Sequence, residues 1–163
     1  MNFRELVREQ KVISHLPERW DPDGNWQRLV LPLTIQGVGV RGLRLRVRIP
    51  NTVDGFGTLL QLEQSEGSTV TNLERIEWKV GHQNPNFGPE RVRLTYLSST
   101  HYHAYDLNLT EDEPPKLRHN IPLAEPIEPD PATVSDLFSV AGKLMNIANL
   151  HSITRPPFQS EMF

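Results

Sequence analysis

The pair of histidines in SSTHYHAYD, residues 98–106, is the part of the sequence best suited to chemistry. On a β-strand alternate side chains point to the same face, so His101 and His103 lie roughly 6.5–7 Å apart along one face. Two imidazoles at that spacing can act as general base and general acid on a phosphate, or as two ligands of one metal ion. His82 precedes them and Asp106 follows them, so the residue types allow a His-His-His or a His-His-Asp set.

A second interpretation places the same imidazoles in a protein core. If the strand continues to Leu109, then Tyr105 and Leu107 share a face with both histidines and make its far end apolar. The imidazoles would then lie at the margin of the core and hydrogen-bond the backbone or Tyr96. Both interpretations stay open. The candidate catalytic residues are His101, His103 and His82. We predict that the protein has no cofactor and no metal site. The residue types also allow a divalent metal ion, which is the less favoured alternative.

The segment HQNPNFGPERVRLTYLSSTHYH, residues 82–103, resembles a pattern found in small uncharacterised bacterial proteins. The pattern is H-x-N-P, a glycine-bearing loop, and then T-H-x-H-x-Y/F. Proteins with this pattern are associated with toxin–antitoxin and mobile-element loci. The resemblance assigns no reaction. It implies that one neighbourhood contains His82, Asn84, Pro85, His101 and His103.

Three arginines alternate with apolar residues in LRLRVRI, residues 43–49. This arginine row consists of Arg44, Arg46 and Arg48. Guanidinium groups on one strand face can follow phosphates, so the row is a candidate anion-binding site and a possible contact for nucleic acid. Alternatively the arginines pair across strands with Glu63 or Glu77. The net charge of −3 favours the ion pairs.

Composition excludes several classes of site. The chain has no cysteine, which removes disulfides, thiolate zinc sites and cysteine nucleophiles. The phosphate-loop, dinucleotide-loop and serine-hydrolase motifs are all missing from the sequence. No apolar run approaches the ~20 residues of a membrane span, and the charged start MNFRELVREQ does not resemble a signal peptide. We therefore expect a cytoplasmic protein that does not contact a membrane.

Periodicity predicts a single α+β domain over residues 1–163. We expect an antiparallel β-meander of five to seven strands, packed by a C-terminal helix, with a short N-terminal helix. Pro32 predicts that the strand around it lies at a sheet edge. Thr133 is the expected N-cap of the C-terminal helix. The predicted units are an N-terminal helix (1–16), the meander (27–109), a proline-rich crossover on the exterior (110–132), the C-terminal helix (133–150) and a flexible tail (151–163).

Two functions are compatible with these features. The first is a small bacterial interaction protein with a protein partner, such as a neutraliser or accessory subunit of a toxin–antitoxin or phage-defence locus. An incomplete catalytic set and a long proline-rich crossover favour it. The alternative is a histidine- or metal-dependent phosphodiesterase or ribonuclease that uses His101 and His103. The interaction protein needs fewer unproven contacts and ranks first.

Overall fold

Ten β-strands and two α-helices make up the architecture of residues 1–156, which are the residues that the computed structural model describes. The helices are α1 (Phe3–Arg8) and α2 (Val134–Leu144), with 3₁₀ turns at Asp106–Asn108 and Leu150–Ser152. The strands are β1 (Lys11–Ile13), β2 (Asp21–Asp23), β3 (Trp26–Ile35), β4 (Val38–Pro50), β5 (Leu59–Glu66), β6 (Thr69–Glu77), β7 (His82–Gln83), β8 (Tyr96–Leu97), β9 (His101–His103) and β10 (Glu125–Pro126).

Eight of these strands form one antiparallel sheet. Its order is β1-β3-β4-β5-β6-β9-β10, with β2 also pairing to β3, while β7 and β8 form a separate two-stranded ribbon. The predicted α+β class, with an antiparallel sheet and a C-terminal helix, is therefore confirmed. The sheet has one strand more than the expected upper bound of seven, because the proline-rich segment, residues 110–132, contributes β10.

The two faces of the sheet differ because the central strands alternate apolar and polar residues. On one face Val47, Leu60 and Ile76 are cross-strand neighbours, and each is 0% exposed. This face packs against α2, whose contribution to the same core includes Leu137, Phe138 and Ala141. We call the opposite face the outer face. It carries the arginine row, and it positions the candidate site.

Helix α2 begins where the sequence predicts and ends earlier. The Thr133 hydroxyl accepts a hydrogen bond from the backbone nitrogen of Asp136 at 3.0 Å, which confirms the expected N-cap. The predicted end at residue 150 is wrong, since the helix ends at Leu144. Asn146 adopts a left-handed conformation with φ of 54°, which turns the chain out of the helix.

The predicted N-terminal helix over residues 1–16 is wrong beyond Arg8. Glu9 is extended, and Lys11–Ile13 pair with β3 instead. Lys11 itself stops the helix, because its fully buried ammonium group donates to three carbonyl oxygens at the end of α1. Those carbonyls belong to Leu6, Val7 and Glu9, at 2.8–2.9 Å. Burial lowers the pKa of Lys11 to about 8.

The expectation that Pro32 marks an edge strand is also wrong. Strand β3 has β4 on one side, and β2 and β1 share its other side. β2 pairs with residues 26–28 and β1 with residues 33–35, so Pro32 lies next to the end of the β1 pairing. The β3–β4 register also shifts between Pro32 and Thr34. A bulge is one of the few places in a sheet that tolerates the missing N–H of proline.

The last strand of the predicted meander is much shorter than residues 101–109. β9 ends at His103, and Asp106–Asn108 form a 3₁₀ turn. Tyr105, Leu107 and Leu109 therefore do not continue the face of the histidines, and the alternation expected there is wrong. Residues 91–97, inside the predicted meander, likewise contribute only the two-residue strand Tyr96–Leu97.

The proline-rich segment lies against the sheet as well as along its exterior. Ile121, Leu123 and Ala124 are each 0% exposed, and β10 pairs with β9. In the predicted flexible tail, Ile153 joins the core and residues 157–163 lie outside the described residues. No helix among residues 1–156 is long and apolar enough to cross a bilayer.

Candidate functional site

The candidate site is built on the outer face, where strands β6 and β9 are paired. In the β-ladder Arg75 lies opposite His103, and Glu77 lies opposite His101. Cross-strand partners point to the same face, so two charged groups and two imidazoles meet there. The short ribbon strand β7 brings His82 to the same place.

The three rings form a compact group, which we call the histidine cluster (His82, His101 and His103). Ring centroids are 5.1 Å apart for His82 and His101, 4.8 Å for His82 and His103, and 5.0 Å for His101 and His103. One ring nitrogen from each residue lies within 4.8 Å of the other two. His101 and His103 are 0% exposed, and His82 is half-buried at the rim. All three predicted residues are therefore brought together.

Each imidazole of the cluster has one ring nitrogen next to a backbone carbonyl. Nδ1 of His101 lies 3.0 Å from the oxygen of Ser99, and Nδ1 of His103 lies 2.7 Å from that of Ile121. Nε2 of His82 lies 2.8 Å from the oxygen of Pro122. Because a carbonyl only accepts, these nitrogens carry the hydrogen in a neutral ring. The other nitrogen of each ring then presents a lone pair.

Unusual backbone conformations aim the carbonyls of the proline-rich segment at the site. Asn120 and Ile121 have φ of 60° and 39°, values rare for residues other than glycine and most strained for a β-branched residue. Three successive carbonyls result, since the oxygen of Asn120 lies 3.4 Å from Nη1 of Arg75, and those of Ile121 and Pro122 accept from the histidines. Strained backbone held by its surroundings often marks a functional site.

Two fully buried asparagines hold this part of the segment in place. Asn84 pairs with both backbone groups of Ala124, donating to its oxygen at 2.8 Å and accepting from its nitrogen at 2.9 Å. Asn108 pairs with Leu123 in the same way, at 2.9 and 2.7 Å. Gly88 packs so closely that an added Cβ would lie 2.4 Å from a methyl carbon of Leu123. The carbonyls that contact the histidines are thus rigidly supported.

Glu77 and Arg75 complete the polar surroundings of the cluster. Oε1 of Glu77 lies 2.9 Å from Nε of Arg75, and Oε2 lies 3.6 Å from Nε2 of His101. The contact with His101 and the positive charge of Arg75 hold the pKa of Glu77 at about 2, although burial opposes this. Nη2 of Arg75 is also 3.4 Å from both ring nitrogens of His103. The site therefore contains one carboxylate and one guanidinium.

Burial favours the neutral form of His103 and His82. It lowers the pKa of His103 to about 3, with a further contribution from the charge of Arg75. The pKa of His82 is also lowered, chiefly by burial. A neutral imidazole is the form that ligates metal ions, so no proton has to leave His103 at neutral pH before it can act as a ligand.

The arginine row lies on the same outer face, and carboxylates contact all three of its members. Oε1 of Glu63 lies 2.6 Å from Nε of Arg44 and 3.0 Å from Nη2 of Arg46. Nε of Arg48 lies 3.4 Å from Asp23. Burial opposes ionisation of Glu63, but hydrogen bonds from Gln61 and the two arginines outweigh it and lower the pKa. Cross-strand pairing with Glu63 is thus found for two arginines, and anion binding by the row stays a prediction.

Sequence reasoning missed several parts of the site. From the sequence Glu77 is only an ion-pair partner of the arginine row, and Arg75 is an outward residue of its strand with no role in the site. The parity of β6 places both residues on one face. It does not predict that β6 pairs with β9. Asp106, included in the His-His-Asp alternative, lies on the 3₁₀ turn with a 64% exposed side chain that contacts Arg8. Comparison of the chain with protein-family models, curated proteins and solved structures finds no match.

Proposed function

We propose that this protein binds one divalent transition-metal ion through His82, His101 and His103. The observation that carries the proposal is the convergence of three imidazoles, each with its second nitrogen held by a backbone carbonyl. Metal-ligating histidines almost always donate their other N–H to a carbonyl, carboxylate or water, which fixes the tautomer and the ring orientation. A core histidine also hydrogen-bonds the backbone, so the convergence of the three rings is what favours a metal centre.

The chemistry of the donors indicates the class of metal. Imidazole nitrogen suits Zn²⁺, Cu²⁺, Ni²⁺ and Fe²⁺, whereas Ca²⁺ and Mg²⁺ prefer oxygen ligands. The ligands come from β7 and β9, and the carbonyls of Ile121 and Pro122 belong to the proline-rich segment. An ion at this place therefore fastens the segment and the ribbon to the main sheet. Its main role is to stabilise this end of the fold.

Burial favours ion binding over the alternative of phosphodiester cleavage. General acid–base catalysis requires that both imidazoles reach the substrate. The side chains of His101 and His103 are 0% exposed, with the proline-rich segment packed over them. An ion fits such a closed site more readily than a phosphodiester. The interaction role, the protein partner and the cytoplasmic location expected from the sequence stay predictions.

Titration of the chelator-treated protein with Zn²⁺ tests the proposal. Isothermal calorimetry and native mass spectrometry should report one ion per chain, and the ion should raise the unfolding temperature by mass action. His101→Ala and His103→Ala should each abolish binding. His119→Ala is the matched control, since His119 is exposed and outside the cluster, and it should bind like the wild type. A wild-type protein that takes up no Zn²⁺, Co²⁺, Ni²⁺ or Cu²⁺ contradicts the proposal.

A further inference from the structure

We propose that Glu77 is the fourth ligand of this centre and binds the ion through Oε2. The inference rests on the proposed function and specifies the coordination of the same site. Glu77 lies opposite His101 in the β6–β9 ladder, and its side chain is only 23% exposed. It is therefore positioned by the main sheet rather than by a surface loop.

Positive charge between Glu77 and His101 stabilises the contact of the two residues. When Nδ1 of a neutral His101 ring donates to Ser99, Nε2 presents a lone pair, and this atom is buried without a hydrogen-bond partner among the described residues. It faces a carboxylate oxygen at 3.6 Å, too far for a good hydrogen bond. A lone pair and a carboxylate oxygen repel each other unless positive charge lies between them.

The separation of these atoms matches two ligands of one ion. Zinc binds imidazole nitrogen and carboxylate oxygen at about 2.0–2.2 Å in a tetrahedral arrangement, which places neighbouring ligand atoms roughly 3.3–3.6 Å apart. Nε2 of His101 and Oε2 of Glu77, at 3.6 Å, lie at the upper end of that interval. The three ring nitrogens lie within 4.8 Å of one another, so they and Oε2 of Glu77 must draw together when one ion binds all four.

Arg75 contacts one of the two carboxylate oxygens of Glu77 and leaves the other for the ion. Its Nε lies 2.9 Å from Oε1, which leaves Oε2 for the ion. Carboxylate ligands are themselves commonly held by such outer contacts. Nη2 of Arg75 also approaches His103, so the guanidinium must withdraw from that ring when the ion binds while it keeps Oε1. Arg75 is thus a positioning residue for Glu77.

Electrostatics favours the same set of ligands. Three neutral imidazoles leave a buried dication uncompensated, and a buried unpaired charge is strongly destabilising. Glu77 supplies one negative charge inside the site, which the ion shares with Arg75. Three nitrogens and one oxygen also fill a tetrahedron, and a closed four-ligand set is typical of structural rather than catalytic zinc.

Substitution of Co²⁺ for Zn²⁺ makes the coordination visible as d–d absorption bands. Glu77→Gln removes the charge at nearly constant volume and should weaken Co²⁺ affinity by about 100-fold or more, with a changed spectrum, since outer-shell losses alone cost about 10–100-fold. Glu63→Gln is the matched control, because Glu63 is also buried on the outer face but pairs with Arg44 and Arg46. It should leave affinity and spectrum unchanged.

Azide provides a second measurement on the unmodified protein. A centre with four protein ligands should show no change in its Co²⁺ bands when azide is added, whereas Glu77→Gln should show one. An azide response in the wild type, or a Glu77→Gln protein with wild-type affinity and spectrum, would overturn the role of Glu77 and leave the histidine centre intact. A wild type that binds no Co²⁺ at all would refute the proposed function itself. If Glu77→Gln does not fold, the wild-type azide result decides.

Discussion

The arginine row and the histidine cluster lie at two ends of the same sheet face and differ in what covers them. Two neighbouring lines of cross-strand partners run from β4 to β9 and join the two ends. The first line is Arg46, Gln61, Arg75 and His103, and the second is Arg48, Leu59, Glu77 and His101. At the arginine end the guanidinium groups stay about one-third exposed and pair with carboxylates. At the histidine end the proline-rich segment packs over His101 and His103, which are 0% exposed.

This difference shows that the cover, rather than the strand, decides the role of a polar residue. An exposed arginine keeps its hydration and gains only a modest ion pair. A covered imidazole must find a protein partner for each nitrogen, and the carbonyls of Ile121 and Pro122 satisfy only one nitrogen of their rings. The lone pairs that remain are what make the histidine end a candidate metal centre.

The largest expected effect comes from removing the cover. Asn84→Ala leaves both backbone groups of Ala124 without their partner in a buried site and removes one of several hydrogen bonds to the carbonyl of Val92. Each such loss costs about 1–3 kcal/mol, so we expect the free energy of unfolding to fall by about 3–5 kcal/mol. Urea denaturation measures it. Asn86→Ala, at an exposed position two residues away, is the control and should change stability by less than about 0.5 kcal/mol.

A buried carboxylate that pairs with no arginine among the described residues sharpens the comparison. Glu74, on the opposite face, accepts hydrogen bonds from the Tyr102 hydroxyl and the Tyr105 backbone, and burial raises its pKa from 4.5 to about 7. Because the folded state holds this proton more tightly, stability is full below pH 4.5 and declines as the pH rises to 7. Glu74→Gln cannot titrate. It should therefore gain up to about 3 kcal/mol relative to the wild type across this interval.

The difference between the two unfolding curves is the quantity to measure for Glu74, because other groups titrate equally in both proteins. Urea midpoints recorded at half-unit steps from pH 4.5 to 7.5 are sufficient. A constant difference over this range would show that Glu74 has the same pKa in the folded and the unfolded protein.

A smaller effect is expected at the arginine end. Glu63→Gln removes the charge that Arg44 and Arg46 share, and hydrogen bonds to charged groups contribute about 1.5–3 kcal/mol when buried. Both arginines keep access to water, so we expect a loss of only about 1–2 kcal/mol. Thermal unfolding at low and high salt measures it, and the loss should shrink in high salt. A loss as large as that of Asn84→Ala would remove the contrast between the two ends.

The smallest effect belongs to the outermost pair of the row. Arg48 and Asp23 are each more than a third exposed, and their charged atoms are 3.4 Å apart. Asp23→Asn should change the free energy of unfolding by less than about 1 kcal/mol. In the same buffer, the loss of free energy of unfolding should be smaller for Asp23→Asn than for Glu63→Gln. The reverse order would mean that solvent exposure does not determine how much these ion pairs stabilise the fold.

Local patterns in the sequence were sufficient for the parts of the fold that depend on a few neighbouring residues. The alternation over residues 43–49 predicted β4 and its two faces, since strand geometry repeats every two residues. Thr133 predicted the start of α2, because an N-cap is a contact within one helical turn. The same parity placed His101 and His103 on one face. The sequence did not predict the limits of the short strands β8 and β9 or the end of α1 at Arg8. Contacts with residues outside each element set where these elements end.

Only the tertiary structure decided what surrounds the histidines. Glu77 meets His101 through the β6–β9 pairing, His82 arrives on a separate ribbon, and the carbonyls of Ile121 and Pro122 come from a segment some 20 residues further along. Each contact joins residues far apart in the chain, and no short-range period encodes such a meeting. Burial, and hence the choice between a wet catalytic face and a closed site, follows from those long-range contacts.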